Sequence, residues 1–296
     1  MTEAERKQII ALVQREVVPA IGCTEPIAVA LCVAKATETL GAKPEKIDVL
    51  LSANILKNAM GVGIPGTGMI GLPIAIALGA LIGKSEYQLE VLKDCNPAAV
   101  EEGKRFIGEK RIDISLKKNI TEKLYIEVCC KSGGNKATAI IAGGHTTFIY
   151  IARNGDVLLN KQSAGCGEEE AQVAGLTLRK VYDFAMNAPL DEIRFILETA
   201  RLNKAAAERS FDGNYGHGLG RMLRGNYEHK ILGDSVFSHI LSYTSGACDA
   251  RMAGAMIPVM SNSGSGNQGI SATLPVLVYA CLLYTSDAAD DLIGVD

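Results

Sequence analysis

The hydrophobic period of the chain changes twice, and that constrains its fold more than any other feature. From Arg111 onward Ile112, Ile114 and Leu116 alternate with polar residues. Leu124, Ile126 and Val128 repeat the pattern, which is the period of strands with one wet face. Ala137 to Ala142 and Thr147 to Ala152 follow, and Asn154-Gly155 marks a tight hairpin into Val157 to Asn160. An antiparallel sheet is the expected result. On either side the spacing is helical. Glu3 to Val18 carries Ile9, Ile10, Leu12, Val13 and Val17 on one face, and Thr24 to Leu40 is apolar all round over Ile27 to Ala34, so those turns should be buried. Ile47 to Ala53 reads as a short strand, and Asn96 before Pro97 as the cap of a helix reaching Glu109. From Glu168 the helical spacing returns, with Leu190 to Glu208 and Asp249 to Met260 as further helices. The expectation is an α+β fold, mostly helical, with a small antiparallel sheet inserted. A helical part with a glycine-rich loop (1–110) precedes a strand-rich segment (111–165) and a helical, catalytic-type part (166–280).

Composition narrows the function classes. A chain of 296 residues with 48% hydrophobic and 21% charged residues is globular rather than disordered, and a net charge of -3 gives no reason to expect nucleic acid or an anionic membrane as partner. A small molecule is the default. Two uncharged stretches resemble membrane spans only superficially. Between Lys57 and Lys84 the apolar run Ile70 to Ile82 is shorter than the roughly 20 residues a bilayer requires. Met252 to Ser286 carries Ser261, Asn262, Ser263, Asn267 and Gln268 in its middle, groups that lipid would leave unsatisfied. Glu3, Glu5, Arg6 and Lys7 precede any apolar run, so no secretion signal is read and a cytoplasmic location is expected. Eight cysteines without a CxxC then read as thiols or ligands, not a disulfide framework.

The first chemical candidate is Cys23 in Gly22-Cys23-Thr24-Glu25-Pro26, at the start of a helix whose free amides favour a thiolate and should lower the thiol pKa. Such a cysteine could act as a base or nucleophile. The bland alternative is a small buried residue. The second candidate is a pair of GxGxxG loops, Gly66-Thr67-Gly68-Met69-Ile70-Gly71 and Gly264-Ser265-Gly266-Asn267-Gln268-Gly269, each running into an apolar segment. A dinucleotide site also needs a strand before the loop and a later acidic residue; the second loop follows what reads as a helix, so nucleotide binding is not favoured. Both loops can instead offer backbone amides to a carboxylate. The dense polar group Asn262, Ser263, Ser265, Asn267 and Gln268 is expected to hold an amino-acid substrate, with Gly66, Thr67 and Gly68 contributing. His145 and Thr146, in Gly143-Gly144-His145-Thr146, fall on a turn at the sheet edge. His217 is equally ambiguous, Cys129 and Cys130 should point to opposite faces, and no histidine pair has metal-ligand spacing. Asp249 and Arg251, the last charges before the polar loop, read as structural at least as readily as substrate-binding.

Taken in order, Gly22-Cys23-Thr24-Glu25-Pro26, Lys57-Asn58, Pro65-Gly66-Thr67-Gly68-Met69, Gly71-Leu72-Pro73 and Gly143-Gly144-His145-Thr146 resemble the iron-sulfur L-cysteine desulfidase and L-serine dehydratase alpha-subunit family, of the UPF0597 type. So do Arg194-Phe195-Ile196-Leu197, Asp249-Ala250-Arg251-Met252 and Ser261-Asn262-Ser263-Gly264-Ser265-Gly266-Asn267-Gln268-Gly269, which extends the resemblance from Met1 to about Ala280. The resemblance implies pyridoxal-independent β-elimination of L-cysteine to pyruvate, ammonia and sulfide, with a [4Fe-4S] cluster as Lewis acid and Cys23 in the position of the family's base. It also implies a cluster-binding region further along, whose ligands this chain is expected to lack. Cys281 to Asp290 resembles a translated sequencing adapter, so 281–296 is set aside as a non-native tail and the chain is expected to be inactive and aggregation-prone, its metal ligands absent. The rival readings are an L-serine dehydratase, a cluster-free thiol enzyme using Cys23 and His145, and a non-catalytic amino-acid-binding module. A homo-oligomer is compatible with all of them.

Overall fold

The computed structural model describes residues 1–161, 175–224, 233 and 235–283. The chain divides into two compact units, one of residues 20–166 with 251–257, the other of residues 1–19, 167–250 and 258–296. The strand-rich segment expected at 111–165 is thus part of a larger unit. The helical stretch before it is shared: its opening helix groups with the C-terminal helices.

The first unit is built on a six-stranded sheet. Its strands are β2 (Lys46–Leu51), β3 (Ile112–Leu116), β4 (Tyr125–Ser132), β5 (Asn135–Ala142), β6 (Phe148–Arg153) and β7 (Asp156–Asn160). They lie in the order β3-β2-β4-β5-β6-β7. From β2 through β7 all pairs are antiparallel, as the alternation implied. The departure is β3, which pairs parallel with β2 in the register Ile47↔Ile112 and extends the sheet at its edge. Asn154 and Gly155 both have positive φ (51° and 100°), so the Asn-Gly signal does form the tight hairpin of β6 and β7.

One helix covers this sheet. In α2 (Thr24–Leu40) every residue from Ala28 to Ala34 has no solvent exposure, because the helix packs on β4 and β5 on one side and on α4 (Leu72–Leu81) on another. Each buried leucine or isoleucine in such a place stabilises the fold by about 1.5–3 kcal/mol. Cys32 lies inside this layer and its Sγ donates to the Ala139 carbonyl at 3.3 Å, so it is a core residue. Cys130 is buried on the same face of the sheet, and its neighbour Cys129 is half-buried on the other, as the strand period requires. Two shorter helices complete the part of the unit that matters below. Ser52 caps α3 (Ala53–Ala59) and donates its hydroxyl to the Lys123 carbonyl at 2.8 Å, which ties α3 to the chain entering β4. Asn96 caps α5 (Pro97–Gly108), its Oδ1 accepting the Ala99 amide at 3.0 Å, as its position before proline implied.

The second unit is helical. A capping box of Thr2 and Glu5 starts α1 (Glu3–Glu16), and Arg6 on that helix grips Glu192 with two hydrogen bonds of 2.7 and 3.0 Å. The later described helices are α6 (Leu178–Asn187), α7 (Leu190–Ile193), α8 (Leu197–Asp212), α9 (Leu219–Arg224), α10 (Val236–Met252) and α11 (Gly266–Leu283). Two expectations are corrected here. The single helix read from Leu190 to Glu208 is broken by a 3-10 turn at Arg194–Ile196. The helix read from Asp249 to Met260 ends at Met252; the Arg251 carbonyl accepts the Gly254 amide at 3.1 Å, Gly254 takes φ 82°, and Pro258–Met260 is a strand, β8. Apolar residues fit either period over so short a run, and the glycine-to-proline spacing decides it. Among the described residues no helix is long and apolar enough to cross a membrane. Leu283 ends α11, and most of the segment set aside as a tail, 284–296, lies outside the described residues.

Candidate active site

The site is organised by the turn that launches α2. Strand β1 (Pro19–Ile21) ends at Gly22, whose φ of 79° is the left-handed region that favours glycine. A Cβ there would also stand 2.4 Å from Pro65 Cγ, so the turn and the glycine-rich loop are in direct contact. Cys23 follows in extended conformation as the N-cap residue, but its side chain makes no capping bond. Instead the Cys23 thiol donates to Glu25 Oε2 at 3.0 Å. The same oxygen accepts the Thr24 hydroxyl at 3.2 Å, and Asn58 on α3 donates its Nδ2 to Glu25 Oε1 at 3.2 Å. Glu25 is therefore the hub.

The electrostatics reverse the expected state of the thiol. Burial of Cys23, which is 7% exposed, and next the negative charge of Glu25 push its pKa up to about 12. Arg251 and the Glu25 amide pull the other way, as a helix start should, and are outweighed. Cys23 is thus a thiol at neutral pH, and the expectation of a thiolate ready to act is corrected. For Glu25 burial alone would raise the pKa; the Cys23 thiol, its own backbone amide, His145 and Asn58 together more than offset this and hold it below the ordinary carboxylate value. His145 is half-buried on the turn between β5 and β6. Burial lowers its pKa, with Arg251 adding to the effect and Glu25 opposing it, so the imidazole is neutral at neutral pH. Arg251 is 4% exposed and completes the group.

The first glycine-rich loop serves a different purpose from the one expected. The amides of Gly66, Thr67, Met69 and Gly71 donate to Gly254 O, Ile64 O, Thr67 Oγ1 and Val62 O, so they form no cradle for an anion. The Thr67 hydroxyl is spent on the Ile64 carbonyl at 2.8 Å, and only Gly68 stands in open space. What the glycines allow is close approach. A Cβ on Gly63 would lie 2.7 Å from Ala253 backbone atoms, and one on Gly66 would lie 2.9 Å from Met256 Cγ. The loop is fastened to the segment that carries Arg251.

The polar loop of residues 261–269 belongs to the helical unit. Contrary to the reading of a preceding helix, it follows strand β8; it forms a tight turn in which Asn262 and Ser265 exchange backbone hydrogen bonds of 3.0 and 2.9 Å. The central residues Ser263 and Gly264 have φ of 48° and 74°, a type I′ turn. The Ser261 amide and hydroxyl both donate to the Val18 carbonyl, the Ser263 amide to Glu16 O, and Ser265 Oγ accepts the Gln268 amide at 3.3 Å. Asn262, Ser265 and Asn267 are half-buried, whereas Ser263 and Gln268 are exposed. The strand-loop-helix order of a dinucleotide fingerprint is present, but the described residues supply no acidic residue on a following strand. His217 is exposed; its amide and that of Leu219 donate to Asp249, whose carboxylate organises that turn. Thr146 is half-buried beside His145.

Within the sheet unit, then, the fold gathers Cys23 and His145 with Glu25, Asn58 and Arg251. Sequence reasoning named Glu25 only as part of the Cys23 motif and left Arg251 between a structural and a substrate-binding reading; the available signal for Glu25 was a carboxylate two residues from the cysteine in the same first turn. Among the described residues no group of three His, Cys, Asp or Glu side chains is placed to hold a metal ion.

Comparison with known proteins sets this site in a family. The serine dehydratase alpha chain family matches residues 86–293, a span that includes the polar loop and runs into the segment set aside as a tail. The chain belongs to the serine dehydratase alpha chain family. It is 82% identical over 280 residues to a UPF0597 protein of Bacteroides fragilis, covering 95% of this chain and 65% of that one. A UPF0597 protein of Bacteroides thetaiotaomicron is 78% identical over 280 residues, with the same coverage. One from Porphyromonas gingivalis is 52% identical over 287 residues, covering 95% of this chain and 66% of that one. The chain thus spans about 65% of the length of the curated relatives it matches. No solved structure matches it.

Proposed function

We propose that this serine dehydratase alpha-type chain carries the α-proton-handling groups of a pyridoxal-independent β-elimination acting on L-cysteine. L-Cysteine loses its α-proton and its sulfide to give aminoacrylate, and water then releases ammonia and leaves pyruvate. The observation that supports the reading is the Cys23 thiol hydrogen-bonded to an ionised Glu25, beside a neutral imidazole and a buried guanidinium. Because Cys23 rests as a thiol, it accepts the α-proton only as its own proton passes to Glu25 Oε2, 3.0 Å away. Asn58 holds the other Glu25 oxygen and keeps the carboxylate turned toward the sulfur. The family resemblance further implies a [4Fe-4S] cluster, and no step above depends on it.

L-Serine is the second reading, favoured by the description of the family itself. Hydroxide then replaces sulfide as the leaving group of the same elimination. The test is anaerobic reconstitution with iron and sulfide, followed by assay of sulfide, ammonia and pyruvate from each amino acid. It is run on this chain and on the 82%-identical relative, with and without Cys23→Ala. Sulfide release from L-cysteine, abolished by the substitution, is expected. Ammonia from L-serine with no sulfide from L-cysteine selects the dehydratase, and a loaded relative that turns over neither amino acid removes the elimination reading.

A further inference from the structure

Strand β7 ends the six-stranded sheet on one side: β6 occupies one of its edges, and among the described residues no strand occupies the other. Its composition is not that of an edge meant to face water. Val157 is 51% and Leu158 65% exposed, and Leu159 beside them is half-buried, so three consecutive apolar residues sit on that edge. Such an edge is a template for another strand unless charges or prolines interrupt it. Here the charges stand only at the ends, Asp156 before the apolar run and Lys161 after it, and both are exposed.

A bulge decides what can pair there. Within the hairpin Arg153 pairs with Asp156 and Ala152 with Val157, whereas Ile151 pairs with Leu159 and Tyr150 with Asn160, so Leu158 is the extra residue. Opposed residues share a face of a sheet, and successive residues alternate. Asp156 therefore lies on the face of Arg153 and Ile151. The Lys161 amide donates to the Ile149 carbonyl at 2.7 Å, which keeps Lys161 in the ladder, and it follows Asn160 onto that same face. In a regular strand two residues five apart lie on opposite faces. The bulge brings Asp156 and Lys161 to one face and puts Val157 and Asn160 together on the other.

We propose that β7 pairs antiparallel with β7 of a second copy of this chain across a two-fold axis, joining the two sheets edge to edge. The proposal is independent of the elimination reading. An axis normal to the sheet keeps every residue on its own face, so only positions that share a face can stand opposite one another. Asp156 opposite Lys161 of the second copy meets that condition, twice by symmetry. The same register sets Val157 opposite Asn160 and brings Leu158 beside Leu159, so opposite charges flank a shared apolar centre. Asn160 has contacts of its own and contributes only its place in the register. Each copy spends the same edge, so the pairing closes at two.

Sedimentation velocity on the whole chain between about 1 and about 200 µM reads the association directly. Paired edges of this length bury less than the roughly 1,200 Å² of a standard interface, so a reversible dimer with a micromolar Kd is expected. Lys161→Asp makes both charge pairs repulsive and should raise that Kd about 10- to 100-fold; Asp156→Lys combined with Lys161→Asp reverses both signs and should return it to within about threefold of the wild type. Leu158→Arg should leave only monomer over the same range. A wild type that stays monomeric throughout, a dimer indifferent to Leu158→Arg, or particles that keep growing beyond two copies overturns the proposal. So does a doubly reversed chain that associates as weakly as Lys161→Asp. Should the double variant fail to fold by circular dichroism, Leu158→Arg, at an exposed position, still decides between this edge and any other surface.

Discussion

Alkylation of Cys23 as a function of pH tests the protonation state on which the site argument turns. The thiol is raised from its ordinary 9.0 to about 12. Three units cut the thiolate fraction about 1000-fold at any pH below 9, equivalent to about 4 kcal/mol between the two protonation states. Intrinsic nucleophilicity rises with pKa, with a Brønsted slope of about 0.4–0.5, and returns roughly 15- to 30-fold of that. The net expectation is iodoacetamide modification about 30- to 60-fold slower than for a free thiol at pH 7. Poor access, at 7% exposure, slows it further but by a factor that does not change with pH. The shape of the profile is therefore the decisive reading.

Quantified by mass spectrometry on the Cys23 peptide, the rate should climb about tenfold per pH unit from pH 7 to beyond pH 10, with folding followed by circular dichroism. Glu25→Gln removes the second-largest cause of the upward shift, so the profile should move to lower pH and the rate at pH 8 should increase. A plateau reached below pH 9 in the wild type, or a Glu25→Gln profile that does not move, refutes the reasoning. It would restore the reading in which the helix amides hold a thiolate.

Two further substitutions test the geometry. Gly22→Ala combines a left-handed φ of 79° with a Cβ 2.4 Å from Pro65 Cγ, and should cost about 2–4 kcal/mol in urea unfolding; a loss under about 0.5 kcal/mol contradicts the contact. Asn203, fully buried on α8, accepts the Met260 amide on Oδ1 at 2.8 Å while its Nδ2 has no partner among the described residues. Asn203→Leu should therefore incur the cost of stranding the Met260 amide and offset part of it by removing the orphan Nδ2 donor, for a net destabilisation of about 1–2 kcal/mol. A stabilised Asn203→Leu protein shows that the amide bond is worth less than the orphan donor costs.

Much of the fold was legible because its signals are local. The alternation at 112–116 and 124–128, the Asn-Gly turn and the Asn96 cap each depend on neighbours within a few residues, and each element formed. The parallel pairing of Ile47 with Ile112 could not be read that way, since it joins strands far apart in sequence whose own patterns say nothing of each other. The site shows the same division. That Cys23 begins a helix is a local fact and was correctly read. Its protonation state depends on burial, which only the packed structure sets, and on a charge two residues away whose effect grows as water is removed.

The glycines carry this argument to its end. From sequence alone, GxGxxG before an apolar helix offers two physical uses: amides presented to an anion, or backbone brought against backbone. They predict opposite things about the N–H groups, free in one case and consumed in the other. In the loop of residues 63–71 the Gly66, Thr67, Met69 and Gly71 amides are consumed, and the missing side chains are replaced by segment 252–256. The loop's contribution to chemistry is then indirect. Its glycines fasten it by backbone contacts to the segment that carries Arg251, and that is the purpose the structure shows for them.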